Sequence, residues 1–385
     1  MKRQTLIPYL LIISYIVIIC TAVIYSFTQI DLNLTLSTNQ LYQQLQQQLI
    51  QVGYFNRPLS ATILSGIFVV LFLLYASVLW LVSQKHLSFK HLRILIAVSL
   101  FLLLSYPAFS HDVFNYLFDA RMITKYGVNP EYFKASDFVG DEWVRFMHWT
   151  HRYYPYGPGW LLITVIPSFL GLQKFVLTLG LFKLVMGGFH AANIWLIFRL
   201  SKHFKLNELF TISFYALNPL VLIEGLVTPH NELVMLTFAL LALYLLVQKK
   251  SAASFIAFVT SVSIKFISII ILPLLLFWNV KRQKLFQLLL TILWFLALIP
   301  LFFSRELYSW YLLPVVGLSA ISGSLPVQIL TISLSIGFLS RYIPIFLIGD
   351  FIEKTTTMQT QYFLVLTIMS LILQLVIWFM KRSRT

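Results

Sequence analysis

Two carboxylates stand in the segment His111-Asp112-Val113-Phe114-Asn115-Tyr116-Leu117-Phe118-Asp119-Ala120-Arg121. Read as a helix, this segment puts Asp112, Asn115, Tyr116 and Asp119 on one stripe, because residues at i, i+3, i+4 and i+7 share a face. A carboxylate there can take a proton from an attacking hydroxyl, with its acidity set by His111 or Arg121 beside it. Asp112, His111 and Asp119 are therefore the candidate catalytic residues. The plainer alternative is a solvated interfacial helix in which Asp119 pairs with Arg121 or Lys125.

The surrounding interval, residues 110–158, holds six of the chain's thirteen carboxylates and three of its eight histidines, His111, His148 and His151. Loops far above about 15 residues are usually functional or disordered, and the aromatics Trp143, Trp149, Tyr153, Tyr154 and Tyr156 argue against disorder. Tyr126-Gly127-Val128-Asn129-Pro130 reads as a turn, since Gly admits positive φ and Pro130 biases Asn129 to an extended conformation. In the aromatic turn that follows, Tyr154 and Tyr156 either belong to an interfacial belt or stack on a sugar ring.

Downstream, His230 and Asn231 in Thr228-Pro229-His230-Asn231-Glu232 are either a helix cap or substrate ligands on the same membrane face as Asp112. Lys265 interrupts an apolar run, where an ammonium costs at least about 2.5 to 3.5 kcal/mol at mid-membrane. It must snorkel or meet an anion, either a lipid phosphate or a carboxylate such as Glu224 or Glu232. Arg305, followed by Tyr308, Trp310 and Tyr311, forms a second basic and aromatic group. Its fork suits bidentate phosphate binding, and the alternative is a surface ion pair worth under about 1 kcal/mol.

These side chains sit in a chain of 385 residues that is 59% hydrophobic and 11% charged, with a mean hydropathy of +0.84. A soluble globule would be about 25% charged. The apolar runs are long and unpatterned, as spanning helices are, and lack the short alternation of a membrane barrel. The net charge of +15 comes from Lys and Arg clustered at the ends of apolar runs, a topology signal with no nucleic acid partner implied. The lone Cys20 excludes an internal disulfide framework.

The predicted fold class is thus all-α: one polytopic membrane domain over 1–385 with about 12 transmembrane helices, roughly 10 to 13. Lys2-Arg3 reads as the cytoplasmic flank of a retained first helix over 5–27, too long for a signal peptide. Basic clusters place both termini in the cytoplasm and residues 110–158 outside it. Residues 160–170 are too short to span and read as re-entrant or interfacial. Residues 252–264 and 266–277 read as a hairpin of short helices with Lys265 near its external tip.

Asp112, Tyr116, Arg121, Gly127, Asn129-Pro130 and Tyr132, spaced D-x3-Y-x4-R-x5-G-x-N-P-x-Y, resemble the first large external loop of GT-C glycosyltransferases. The resemblance is nearest to polyprenol-phosphate-dependent mannosyltransferases, including the GPI mannosyltransferase I type and bacterial α-1,6-mannopyranosyltransferases. It implies a polyprenyl-phosphate sugar donor, a cell-surface glycan or glycolipid acceptor in a membrane lipid setting, and Asp112 as base in an inverting hexosyl transfer, with mannose the expected sugar. Arg121, Tyr154, Tyr156, His230, Asn231, Lys265, Arg305 and Tyr308 would then bind substrate or lipid phosphate. The chain has His111-Asp112 in place of an adjacent D-x-D pair, so a divalent metal stays possible and no metal ligand is assigned.

Two other classes compete. A flippase or exporter of lipid-linked sugars would do no chemistry, yet transporters commonly show two matching halves, and none is visible in this sequence. A glycan ligase or polymerase would carry its key loop late in the chain, whereas this one is early. There is no P-loop, Rossmann glycine fingerprint or HExxH.

Overall fold

The computed structural model describes residues 2–32, 34–277, 283–304, 307–350 and 352–382. Among them the regular structure is entirely helical. In chain order the helices are α1 Lys2–Ser26, α2 Gln40–Ile50, α3 Arg57–Ser83, α4 Phe89–Ser99, α5 Asp112–Tyr126, α6 Pro158–Leu170, α7 Phe175–His203, α8 Glu208–Ala216 and α9 Pro219–Leu222. They continue with α10 Asn231–Val247, α11 Ser251–Ile264, α12 Leu272–Leu276, α13 Gln283–Ser304, α14 Leu313–Ile321, α15 Leu325–Ser340, α16 Tyr342–Ile348 and α17 Glu353–Arg382.

Polar residues at the breaks set the starts of several helices. Asn39, Asn56, Asn207 and Asn218 each accept a backbone N–H with the side chain at the head of α2, α3, α8 and α9. Gly127 closes α5 in the left-handed region at φ 67°, and its N–H and that of Val128 return to Ile123 and Met122. Only a residue without Cβ sits there at no cost.

Among the described residues five helices are long and apolar enough to cross a membrane: Leu6–Gln29, Arg57–Ser83, Phe175–His203, Leu325–Ile348 and Glu353–Met380. Together with the shorter apolar helices they describe a multi-pass membrane protein. Glu208–Ala216 and Pro219–Val227 make a sixth span if their 52° bend is counted through. The bend has a local cause: Pro219 lacks an N–H and forces the preceding Asn218 out of the helical region, to φ −62°, ψ 124°.

The other apolar helices, Pro158–Leu170, Asn231–Val247, Ser251–Ile264, Lys284–Pro300 and Ser309–Ile321, are 10–17 residues long. At 1.5 Å per residue even 17 residues reach only about 26 Å, short of the roughly 30 Å hydrocarbon layer. Full-length spans among the described residues thus number five or six, fewer than the expected 12, and the remaining apolar helices are short. Hydropathy alone does not separate these two kinds.

The short helix α10 is the centre. It packs on α7, α11 and α14, and apolar residues ring it, as a helix enclosed on all sides requires. At the periphery, α17 packs on α15 and α16 and presents Val365, Ile368, Met369, Ile372 and Leu373 outward, the pattern of a helix facing lipid tails.

Helix α5 packs on α6, and the loop beyond it is pinned back by Asp141. One oxygen, Oδ2, accepts from Arg121 Nε at 2.8 Å, Lys125 Nζ at 2.9 Å and Tyr126 Oη at 2.6 Å. The other accepts from the Trp143 N–H at 2.9 Å. Burial alone would raise the Asp141 carboxyl, but the donors from Tyr126, Lys125 and Arg121 outweigh it and hold it well below the usual carboxylate range. The pairing expected of Asp119 with Arg121 or Lys125 is replaced by this clasp from a residue further along the chain.

Candidate active site

Asp112 begins α5, its N–H donating to Ser110 Oγ at 3.2 Å. Its carboxylate Oδ2 lies 3.9 Å from Nδ1 of His230, and the other ring nitrogen of His230 lies 3.3 Å from Glu224 Oε2. Both contacts are within ion-pair range, and neither is aligned as a hydrogen bond. Glu224 is fixed from behind: Tyr342 Oη donates to its Oε1 at 2.8 Å and itself accepts from Ser309 Oγ at 2.8 Å. A carboxylate, an imidazole and a second carboxylate thus lie in sequence across three chain segments.

The backbone explains why they meet. Ile223–Val227 is a π-helical turn, a wide turn that often marks functional sites, and it swings Glu224 under His230. The His230 N–H returns to the Glu224 carbonyl at 3.1 Å, and Asn231 starts α10. The imidazole then lies flat on Trp310, with ring centroids 4.0 Å apart, and Trp310 stacks on Tyr308 at 4.5 Å.

Beside this line, Lys265 Nζ is paired with Glu232 Oε1 and sits 4.6 Å from the Tyr311 ring centroid. Lys265 is the extended residue between α11 and the 3-10 turn Phe266–Ile271, at the break expected of a hairpin tip. Glu224, His230, Asn231 and Glu232 are almost wholly buried, whereas Asp112 and Lys265 keep 18% and 24% of their side chains exposed. The floor is closed and the rim is open. Both amide atoms of Asn231, Oε2 of Glu224 and Oε2 of Glu232 lack a protein hydrogen-bond partner, so the floor has donor and acceptor capacity to spare.

Burial raises the Asp112 carboxyl above its ordinary value; His230, Lys265 and His111 oppose that shift and Glu232 adds to it. Asp119 is pushed further, to about 8, first by burial and then by the negative charge of Asp112. At neutral pH Asp119 therefore keeps its proton. Between about pH 4 and pH 8 the folded protein holds a proton on Asp119 that the unfolded chain has lost, so stability falls as pH rises through that window. The Asp119→Asn protein should lack this component, and its melting temperature relative to the native protein should climb from pH 5 to pH 8.

The structure brings Asp112, His230, Asn231, Lys265 and Tyr308 into one region. Tyr156 joins its edge, with the Tyr116 ring at 5.0 Å. Tyr154 is tied into its own turn, its hydroxyl donating to the Gly157 carbonyl at 2.9 Å. Arg121 lies about 13 Å along α5 from Asp112 and is committed to Asp141, away from this region. His111 turns to Asp31, with Nε2 3.2 Å from Oδ2. Arg305 lies outside the described residues.

Glu224, Trp310 and Tyr342 are participants that reading the chain for site residues did not assign. Glu224 did carry a signal, a carboxylate within an apolar run, but nothing in its spacing pointed to His230.

Residues 19–282 match the family model described as "Alpha-(1->6)-mannopyranosyltransferase, N-terminal domain". The chain belongs to this family. The stretch matched to the mannopyranosyltransferase domain includes Asp112, Glu224, His230, Glu232 and Lys265 and ends before Tyr308, Trp310 and Tyr342. Among curated proteins it is similar to Alpha-(1->6)-mannopyranosyltransferase A of Mycobacterium tuberculosis, 29% identical over 178 residues, 45% of this chain and 34% of that protein. It is also similar to Alpha-(1->6)-mannopyranosyltransferase A of Corynebacterium glutamicum, 28% identical over 183 residues, 47% of this chain and 37% of that protein. The match thus spans about a third of the length of these relatives. No solved structure matches the chain.

Within this mannopyranosyltransferase domain the aromatic turn has a definable structural role. The Gly157 N–H faces the Ile264 carbonyl at 3.4 Å, and a Cβ at Gly157 would come within 2.0 Å of the Ser263 carbonyl oxygen. The turn is thus seated on the backbone just before Lys265. Gly157→Ala must push that backbone away, and we expect about 1 to 3 kcal/mol of destabilisation, read by thermal unfolding.

Proposed function

We propose that the protein is an integral membrane mannosyltransferase of GT-C type that moves mannose from a polyprenyl-phosphate donor to a hydroxyl of a cell-surface glycan or glycolipid. The names of its relatives, alpha-(1->6)-mannopyranosyltransferases, support an α-1,6 linkage, hence a hydroxyl on the sixth carbon of the acceptor sugar. The observation that carries the reading is the meeting of Asp112, a partly buried carboxylate whose proton affinity burial raises, with His230 and the cation Lys265 at an open rim over a buried polar floor.

In this reading the acceptor oxygen attacks the anomeric carbon while Asp112 takes its proton. The bond from that carbon to the phosphate oxygen breaks on the opposite face, so the centre inverts. The departing polyprenyl phosphate keeps the electron pair, and Lys265 stabilises the charge. His230, held by Glu224 and stacked on Trp310, fixes the orientation of Asp112. Polar atoms of Asn231 and the rings of Tyr308 and Tyr156 supply sugar contacts. The whole chain forms one membrane domain with both termini cytoplasmic and residues 110–158 on the outer face, where a membrane-borne donor is the available sugar source.

The test is reconstitution of the purified protein in lipid with radiolabelled polyprenyl-phosphate mannose and a mannoside acceptor. Transfer from that donor, with none from GDP-mannose, is the expected result. Transfer from GDP-mannose, or translocation of the sugar lipid without any product, would refute the proposal.

A further inference from the structure

Asp31, His111 and His148 come from three separate segments: the turn after α1, the residue before α5, and the loop beyond it. One ligand atom from each lies within 4.8 Å of the others. The Tyr54 hydroxyl donates to Asp31 Oδ1 at 2.8 Å, so that the other oxygen is the one turned to His111 Nε2, at 3.2 Å. The two imidazoles stack face to face, with centroids 3.5 Å apart and planes 16° from parallel. Neutral imidazole is the form that ligates metals.

We propose that Asp31, His111 and His148 bind a divalent first-row metal ion, zinc being the best fit. Two nitrogen donors with one carboxylate suit zinc better than magnesium or calcium, which take oxygen shells. At Zn–N and Zn–O lengths near 2.0 to 2.2 Å, tetrahedral donors stand roughly 3.3 to 3.5 Å apart, close to the His111 to Asp31 separation. The stacked rings hold their in-plane lone pairs in near-parallel planes, so His148, which is exposed, must turn out of the stack to aim a nitrogen at the same ion as His111. Tyr54 supplies the outer hydrogen bond that orients a ligating carboxylate. The fourth position is left for water.

Such an ion joins the outer loop after α1 to the head of α5. Because His111 directly precedes Asp112, it holds the start of that helix, and therefore Asp112, in place. This makes it a positioning site. Its existence does not depend on which reaction the protein catalyses.

The experiment uses tag-free, full-length protein in lipid discs, stripped with a chelator, dialysed against limiting zinc and assayed for bound metal and for melting temperature. About one zinc per chain is expected, with a raised melting temperature. His148→Gln and Asp31→Asn should each lower the bound zinc about tenfold or more, while His151→Gln retains it. Cobalt substitution should give visible absorption bands that His148→Gln abolishes. Should Asp31→Asn fail to fold, the exposed His148 still decides the matter. Equal zinc in the native protein and the His148→Gln variant, or none in the native protein, would overturn the site and leave a hydrogen-bonded pair with a stacked ring.

Discussion

Asp112→Asn should lower kcat for mannosyl transfer by roughly three orders of magnitude, the usual worth of a positioned general base. The amide keeps the shape of the carboxylate and its place at the head of α5, but it cannot accept the proton of the acceptor hydroxyl. Donor binding should change little, because in the proposed mechanism the phosphate is held by the cation and not by Asp112. Stability should be unchanged or slightly higher, since a buried carboxylate raised by desolvation has been removed. A labelled-donor assay with a melting curve on the same preparation measures both, and a fall of less than tenfold in turnover would remove Asp112 from the role of base.

Lys265→Met has two expected consequences that a second variant separates. Glu232 is buried and faces the Lys265 ammonium. Breaking a buried pair by removing one partner costs about 3 to 5 kcal/mol, because the remaining charge is stranded. Adding Glu232→Gln removes the stranded charge and should restore most of the melting temperature. If Lys265 also neutralises the lipid phosphate, the double variant stays unable to bind the donor even though it is stable. Recovery of turnover along with stability would mean that Lys265 serves Glu232 and nothing else.

The comparison between chain and fold is instructive at particular places. The first helix, α1, starts and stops close to where hydropathy and the basic flank put it, because lipid imposes a length that a single sequence displays. Gly127 and the break at Lys265 were legible for the same reason: each rests on local backbone chemistry. The stripe formed by Asp112, Asn115, Tyr116 and Asp119 followed from helical period alone.

What escaped needed tertiary information. The bend at Asn218-Pro219 and the π-helical turn after it bring Glu224 to His230, and no spacing rule reports a contact made by a bent span. Asp141 gathers Arg121 and Lys125 from sixteen or more residues away, whereas the readable pairings were those within one short helix. Asp31 lies in a segment rich in Gln and Asn, where nothing marks one acidic residue as special until His111 and His148 are seen beside it. The number of full-length spans also depended on packing, since short helices such as α10 are apolar throughout for the different reason that other helices enclose them.

The central claim is that Asp112 and Lys265 act on one bound donor, the first on the acceptor's proton and the second on the lipid phosphate. Equilibrium binding of polyprenyl-phosphate mannose, followed by a single turnover started with acceptor, tests it on three proteins: native, Asp112→Asn, and Lys265→Met with Glu232→Gln. The expected result is that Asp112→Asn fills with donor as the native protein does yet forms no product, while the double variant stays empty. Product formed by Asp112→Asn at the native rate, or donor bound by the double variant with native affinity, would contradict it.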